Sequence, residues 1–198
     1  MGAGASAGPQ RGRPVSLQSR TAAVSAAAAL LADAGWPEFS IDEVARRSGV
    51  GKATIYRHWA GAFPLAVEAW GDLVTEAVPT VSTGRVEDDL LDQVARLAEF
   101  YASADGTVAV QLIGASVAQP GGGEIIARAF FGARRAATRD LVRAGMDAGQ
   151  LRDDLDPDVV IDLLFGPIVF RLFNGLGALD GRAARASAEL AMRSITCC

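Results

Sequence analysis

Residues 52–58 read KATIYRH, and five of these seven side chains, Lys52, Thr54, Tyr56, Arg57 and His58, carry a cation, a hydroxyl or an imidazole. Cations neutralise phosphates, and hydroxyl, imidazole and guanidinium groups reach phosphate oxygens or base edges. The chemistry within reach is therefore noncovalent recognition of a nucleic acid. Catalysis draws less support. His58 is the only histidine, stands beside Arg57, and has no Ser or Cys near it in a nucleophile setting, so neither a metal centre nor a Ser-His-Asp relay is indicated. Adjacent acids such as Asp153 and Asp154 read as solvated loop. Cys197 and Cys198, the only two cysteines, are neighbours and provide neither a disulfide framework nor a ligand set. The expectation is a non-enzymatic protein with no metal and no cofactor.

Two short helices must position these groups. Ser40 followed three residues later by Glu43 is a capping box, so a helix begins near Ile41. Ile41, Val44 and Ala45 then form one apolar stripe, with Asp42, Glu43, Arg46 and Arg47 off it. Gly49 supplies the left-handed conformation of a tight turn, and Val50 tucks back under the first helix. A second helix starts at Gly51 with Ile55 and Trp59 on its buried side, which leaves the chemistry-bearing residues outside. Two short helices joined by a glycine turn are a helix-turn-helix, whose second helix is sized for the DNA major groove.

Gly12-Arg13-Pro14, Gly35, the run ARRSGVGKATIYRHW (45–59) and the apolar helix after it together resemble the TetR family of bacterial transcriptional regulators. The likeness is specific over residues 12 to about 75 and architectural beyond. It implies an all-α fold of about nine helices: a three-helix DNA-binding head whose third helix reads DNA, and a larger helical body that dimerises and binds a small molecule. By matching position it implies recognition-helix contacts from Lys52, Thr54, Tyr56 and His58. The full nucleic-acid-facing set is Arg13, Ser40, Lys52, Ala53, Thr54, Tyr56, Arg57 and His58. Two positions depart from the family's pattern: Gly51 replaces a frequent capping serine, and Ala62 replaces a frequent phosphate-gripping lysine.

Charge distribution suits that division. The net charge of −4 splits into +3 over residues 1–60, with seven Lys or Arg against four acids, and −7 over the remainder. A basic footprint is needed only where phosphates are met, and an acidic body limits contact elsewhere. The acidic body also hints at a neutral or cationic ligand. Residues 1–15 read as a disordered basic arm, residues 16–61 as the head and residues 62–196 as the body. No secretory signal is visible, and the longest apolar run, residues 159–179, is interrupted by Asp162, Arg171 and Asn174, which argues against a membrane span. The expected location is the cytoplasm.

Helical periodicity continues throughout, without strand patterns or internal repeats. A first helix over residues 17–34 carries Val24, Ala27, Ala28 and Leu31 inward. A fourth over residues 62–78 carries Leu65, Ala69, Leu73 and Ala77. The body adds helices over residues 86–104 (Leu90, Val94, Leu97 and Tyr101 on one face), 107–118, 124–148, 158–174 and 182–195, the last with Ala183, Ala186, Leu190 and Ile195 on one face. Gly106 separates the first two of these, Pro120-Gly121-Gly122-Gly123 is a connector, and Gly166-Pro167 breaks the apolar surface of the penultimate helix.

From the last two helices, Leu163, Leu164, Ile168, Arg171 and Leu190 are candidates for a homodimer seam, with Arg171 either paired to Asp162 or crossing that seam. Candidate ligand contacts are Phe100, Tyr101, Phe130, Phe131 and Phe170 as aromatic wall, and Gln111 and Asn174 as polar groups embedded in apolar runs. The function expected is a repressor that binds a palindromic double-stranded DNA operator as a homodimer and is released by an unknown small-molecule effector. The alternative is a DNA-binding dimer without such a ligand, controlled by a protein partner or serving an architectural role. An enclosed apolar cavity favours the first reading and a filled body core the second.

Overall fold

A computed structural model describes residues 13–174, 176 and 180–196, with side chains from residue 17 onward. The Arg13 side chain, residues 1–12 of the expected arm, and Cys197 and Cys198 lie outside that description. Helix α1 (Arg13–Ala34) starts inside the stretch expected as arm. Its inward row is Ala23, Ala27, Leu30 and Leu31, with Val24 and Ala28 as half-buried flanks rather than centre. Small residues along that row let α2 (Ile41–Ser48), α3 (Lys52–His58) and α4 (Ala62–Ala77) approach it. Gly35, at φ 73°, closes α1 by donating its N–H to the Leu31 carbonyl.

α4 is buried on nearly every side over its first three turns, through Phe63, Leu65, Ala66, Val67, Ala69 and Trp70. It packs on α1 on one side, and on the helix Ala104–Ser116 and the π-helical turn Ala127–Gly132 on the other, so it belongs to head and body alike. That shared burial displaces the simple stripe expected: Leu73 is only half-buried and Ala77 is exposed. Trp70 donates its indole N–H to the Asp105 carbonyl at 3.1 Å.

In the body, α5 (Val86–Ala102) buries Leu90, Val94, Leu97 and Tyr101 as one face. α6 (Ala104–Ser116) begins earlier than expected, because Ser103 caps it by accepting from the Gly106 N–H at 3.1 Å. Gly106 thus lies in the first turn of α6 rather than between helices. α7 (Gly122–Ile126) runs through a π-helical turn (Ala127–Gly132) into α8 (Ala133–Asp147), so the single long helix expected there contains a widened turn. α9 (Pro157–Phe173) is continuous through Gly166-Pro167. Pro167 supplies no N–H, so the Leu163 carbonyl loses its helical donor, but the helix is not broken. α10 (Gly181–Ile195) buries Ala184, Ala188, Met192 and Ile195 and packs on α5 and α9; of the face expected, Ile195 is buried, whereas Ala183, Ala186 and Leu190 are exposed.

Counting α7, the π turn and α8 as one body, the described residues form nine helices, and no strand occurs among them beyond one isolated bridge between Leu151 and Thr196. No helix among them is long and apolar enough to cross a membrane.

Candidate functional site

The first half of the site is built by the turn. Ser40 caps α2 by accepting from the Glu43 N–H at 3.2 Å. Glu43 does not return the bond as a full capping box would. Its carboxylate receives Arg46 at 2.5 and 2.8 Å and Arg47 at 2.9 Å, and Arg47 also reaches Asp33 at 2.6 Å. These hydrogen bonds, from Arg46 first and then Arg47, hold the Glu43 carboxyl down at about 2. Gly49, at φ 69°, ends α2 by donating to the Ala45 carbonyl. Gly51 opens α3 with no side-chain cap, so the departure noted in the sequence leaves the first turn of α3 without a hydroxyl partner.

Ile55 and Trp59 are buried, and this burial fixes which face α3 presents. Lys52, Ala53, Tyr56, Arg57 and His58 are exposed. Thr54 is half-buried and its hydroxyl accepts from Arg57 at 2.8 Å, which tethers that guanidinium along the helix. Lys52 makes a 2.7 Å ion pair with Asp42 of α2, a partner the sequence reading did not assign. The Trp59 indole N–H donates to Glu68 of α4 at 2.9 Å, Arg20 of α1 pairs with the same carboxylate at 2.6 Å, and the Arg20 guanidinium lies over the Trp59 ring at 5.8 Å. The end of α3 is thereby fixed to both α1 and α4.

The second half lies in the body. A cavity of about 350 Å³ opens between α5, the π turn, α8 and α9, walled largely by apolar side chains including Leu97, Ile161, Phe165 and Val169. That volume is within the range of small-molecule sites. Tyr101 and Phe131 line it. Burial pushes the Tyr101 hydroxyl up from its ordinary range, against the opposing pull of the Arg134 guanidinium, so it stays a neutral donor.

The other ligand candidates lie elsewhere. Phe100 and Phe130 are core. Phe170 is exposed, and Asn174 turns back to its own helix, donating to the Phe170 carbonyl at 2.8 Å. Gln111 accepts from the Trp36 N–H at 2.9 Å and so ties α6 to the end of α1. Periodicity missed Gln93, Arg134 and Thr138, which also line the cavity. Gln93 was detectable as a polar residue between Leu90 and Leu97 on the inward face of α5. It is buried and paired to Thr138 at 3.0 Å.

Among the seam candidates, Leu164 and Ile168 are buried within the protomer, whereas Leu163 and Leu190 are exposed. Arg171 bonds the Leu176 carbonyl at 2.7 Å, and Asp162 is taken by Arg135 at 2.8 Å, so the Arg171–Asp162 pair does not form. Seven of the eleven large apolar side chains exposed among the described residues fall between Val159 and Leu190, so the uncovered apolar surface is concentrated on α9 and its neighbourhood.

Residues 23–61 match the family described as bacterial regulatory proteins, tetR family, and residues 80–191 match the tetracyclin repressor-like C-terminal domain. The chain is 36% identical over 163 residues to the uncharacterized HTH-type transcriptional regulator YdeS of Bacillus subtilis, covering 82% of each. It is 26% identical over 168 residues to the HTH-type transcriptional regulator AqdR of Rhodococcus erythropolis, covering 85% of this chain and 80% of that one. Among solved structures it resembles the TetR family transcription regulator SCO0332, with a TM-score of 0.78, 26% identity, and coverage of 91% of this chain and 100% of that one.

Proposed function

Because the chain belongs to the TetR family of DNA-binding transcriptional regulators, we propose that it is a cytoplasmic repressor, acting as a homodimer on a palindromic operator and released by a small molecule held in the body cavity. The observation that carries this reading is the coexistence of an exposed, cation-bearing α3 with an apolar cavity of about 350 Å³ in the same chain. A cavity of this kind favours effector control over control by a protein partner or a purely architectural role.

Tyr56, Arg57 and His58 supply phosphate contacts, Ala53 and Thr54 face the groove, and Lys52 meets either a phosphate or a guanine; Ser40 offers its hydroxyl from the start of α2. The dimer is closed by α9 and α10, where Val159, Leu163 and Phe170 recur at helical spacing with their side chains exposed. Such a patch is covered by a second copy about a two-fold axis, and two copies place two recognition helices on one duplex.

Release follows a physical path. Phe131 of the cavity wall belongs to the π turn, and a Cβ built on Gly71 of α4 would lie 3.5 Å from the Ala129 carbonyl of that same turn. α4 in turn holds the end of α3 through Glu68 and Trp59. A ligand that prefers one arrangement of the π turn biases α4 and α3, by no more than its differential affinity for the two states.

The test is titration of a duplex from upstream of its own gene at several salt concentrations, with sedimentation of the free and bound protein. Two protomers per site and a steep salt dependence are expected. A monomer that ignores every duplex at low ionic strength would overturn the proposal.

A further inference from the structure

We propose that the cavity takes an apolar molecule ending in a carboxylate, with Arg134 as the partner of that head group; the inference rests on the effector reading above. Four arginines follow the π turn on α8, and all but Arg134 are already engaged, Arg143 with Asp140 at 3.9 Å. Arg135 bonds Asp158 at 2.9 Å and Asp162 at 2.8 Å, and Arg139 bonds Asp158 at 2.8 Å. Arg134 lines the cavity and makes no ion pair among the described residues. Its guanidinium lies 5.8 Å from the centre of the Phe131 ring, a position that holds it at the wall.

Among the described residues, three buried side-chain nitrogens have no acceptor, Nε of Arg96, Nε of Arg171 and Nη1 of Arg134, and of these residues only Arg134 lines the cavity. A buried cationic donor without an acceptor is costly, and an oxyanion satisfies both its charge and its hydrogen bond. The Tyr101 hydroxyl faces the Arg134 guanidinium as a neutral oxygen that cannot balance its charge, and the rest of the polar lining is engaged elsewhere. Gln93 and Thr138 satisfy each other, and the one carboxylate in the wall, Asp162, is neutralised by Arg135. The remaining wall is largely hydrocarbon and aromatic, which suits an apolar tail. The charge at the cavity is thus opposite in sign to the body's net charge, and the neutral or cationic ligand suggested by composition is replaced by an anionic one.

Matched pairs that differ only in the head test this: 4-phenylbutyrate against 4-phenyl-1-butanol, and decanoate against 1-decanol, each titrated calorimetrically into the full-length protein. Each acid is expected to bind at least tenfold more tightly than its alcohol. In folded Arg134→Met the difference should vanish while alcohol binding is kept. The wild-type comparison stands by itself should that variant fail to fold, and Arg134→Gln repeats the test with a smaller change in bulk. Equal binding of acid and alcohol to the wild type overturns the head-group inference and leaves the cavity reading intact. An acid preference that persists in folded Arg134→Met removes Arg134 from the role. Binding of none of the four at millimolar concentration overturns the cavity reading together with the inference.

Discussion

Gln111 on α6 accepts a 2.9 Å hydrogen bond from the backbone N–H of Trp36, the second residue beyond α1, so a side chain of the body satisfies a backbone donor of the head. The fit is close on both sides: a Cβ on Gly35 would lie 2.8 Å from the same Gln111 oxygen, and Trp36 stacks on Phe39 at 5.7 Å and meets Phe63 edge-on at 5.6 Å. Gln111→Leu leaves the Trp36 N–H without its acceptor. The expected loss is about 1–3 kcal/mol in urea unfolding, with operator binding weakened through the displaced head. Unchanged unfolding would show that water replaces the glutamine at no cost.

Lys52 is shared between Asp42 and the solvent face of α3. Lys52→Ala should lower the slope of log affinity against log salt by roughly 1 if the lysine meets a phosphate, or relax base preference if it reads guanine. Asp42→Asn removes an acid from the interface and frees the lysine, so affinity should rise about two- to fivefold at low salt, the scale of an exposed ion pair. Anisotropy titrations of labelled operator at several salt concentrations read both.

Two glycines should respond in opposite ways. A Cβ on Gly106 would fall 1.9 Å from the Phe100 carbonyl oxygen, so Gly106→Ala forces α5 and α6 apart and should cost more than about 2 kcal/mol. Around Gly51 a Cβ would meet nothing within 4 Å, and Gly51→Ser supplies the missing cap of α3. Thermal melts should show a large loss for the first and a gain of a few tenths of a kcal/mol for the second.

The Glu43 carboxyl is held at about 2 in the folded protein, below its ordinary 4.5, chiefly by its hydrogen bond from Arg46. Between those two values the unfolded chain binds the extra proton, so the stabilisation is present above about pH 4.5 and is lost as pH falls toward 2. The melting-temperature difference between wild type and Glu43→Gln should therefore be constant near neutrality and shrink through that acid window. A difference independent of pH would remove the ion cluster as its source.

Phe170 stands 60% exposed on α9, next to Val169 and one turn from Phe173. If a second copy covers this face, Phe170→Glu should raise the dimer dissociation constant by at least tenfold with little change in the protomer's helical content. Sedimentation and circular dichroism measure the two effects separately.

The helix-turn-helix was readable from the sequence because its signals are local. Ser40 caps within one turn, Gly49 adopts a conformation other residues resist, and Ile55 and Trp59, four apart, leave only one face for α3 to expose. The all-helical body followed from period alone. What period could not assign was the facing of helices that are apolar on more than one side. On α9, Leu163 and Leu164 are neighbours in sequence and equal in hydrophobicity, yet one is exposed and the other buried. The same holds for Phe130 in the core and Phe131 at the cavity, where the π turn shifts the helical phase. Polar residues in apolar runs posed the same ambiguity: each must find a partner when buried, but whether that partner is a backbone amide, as for Gln111, or another side chain, as for Gln93, is decided by residues 75 and 45 positions away that only the folded chain brings near.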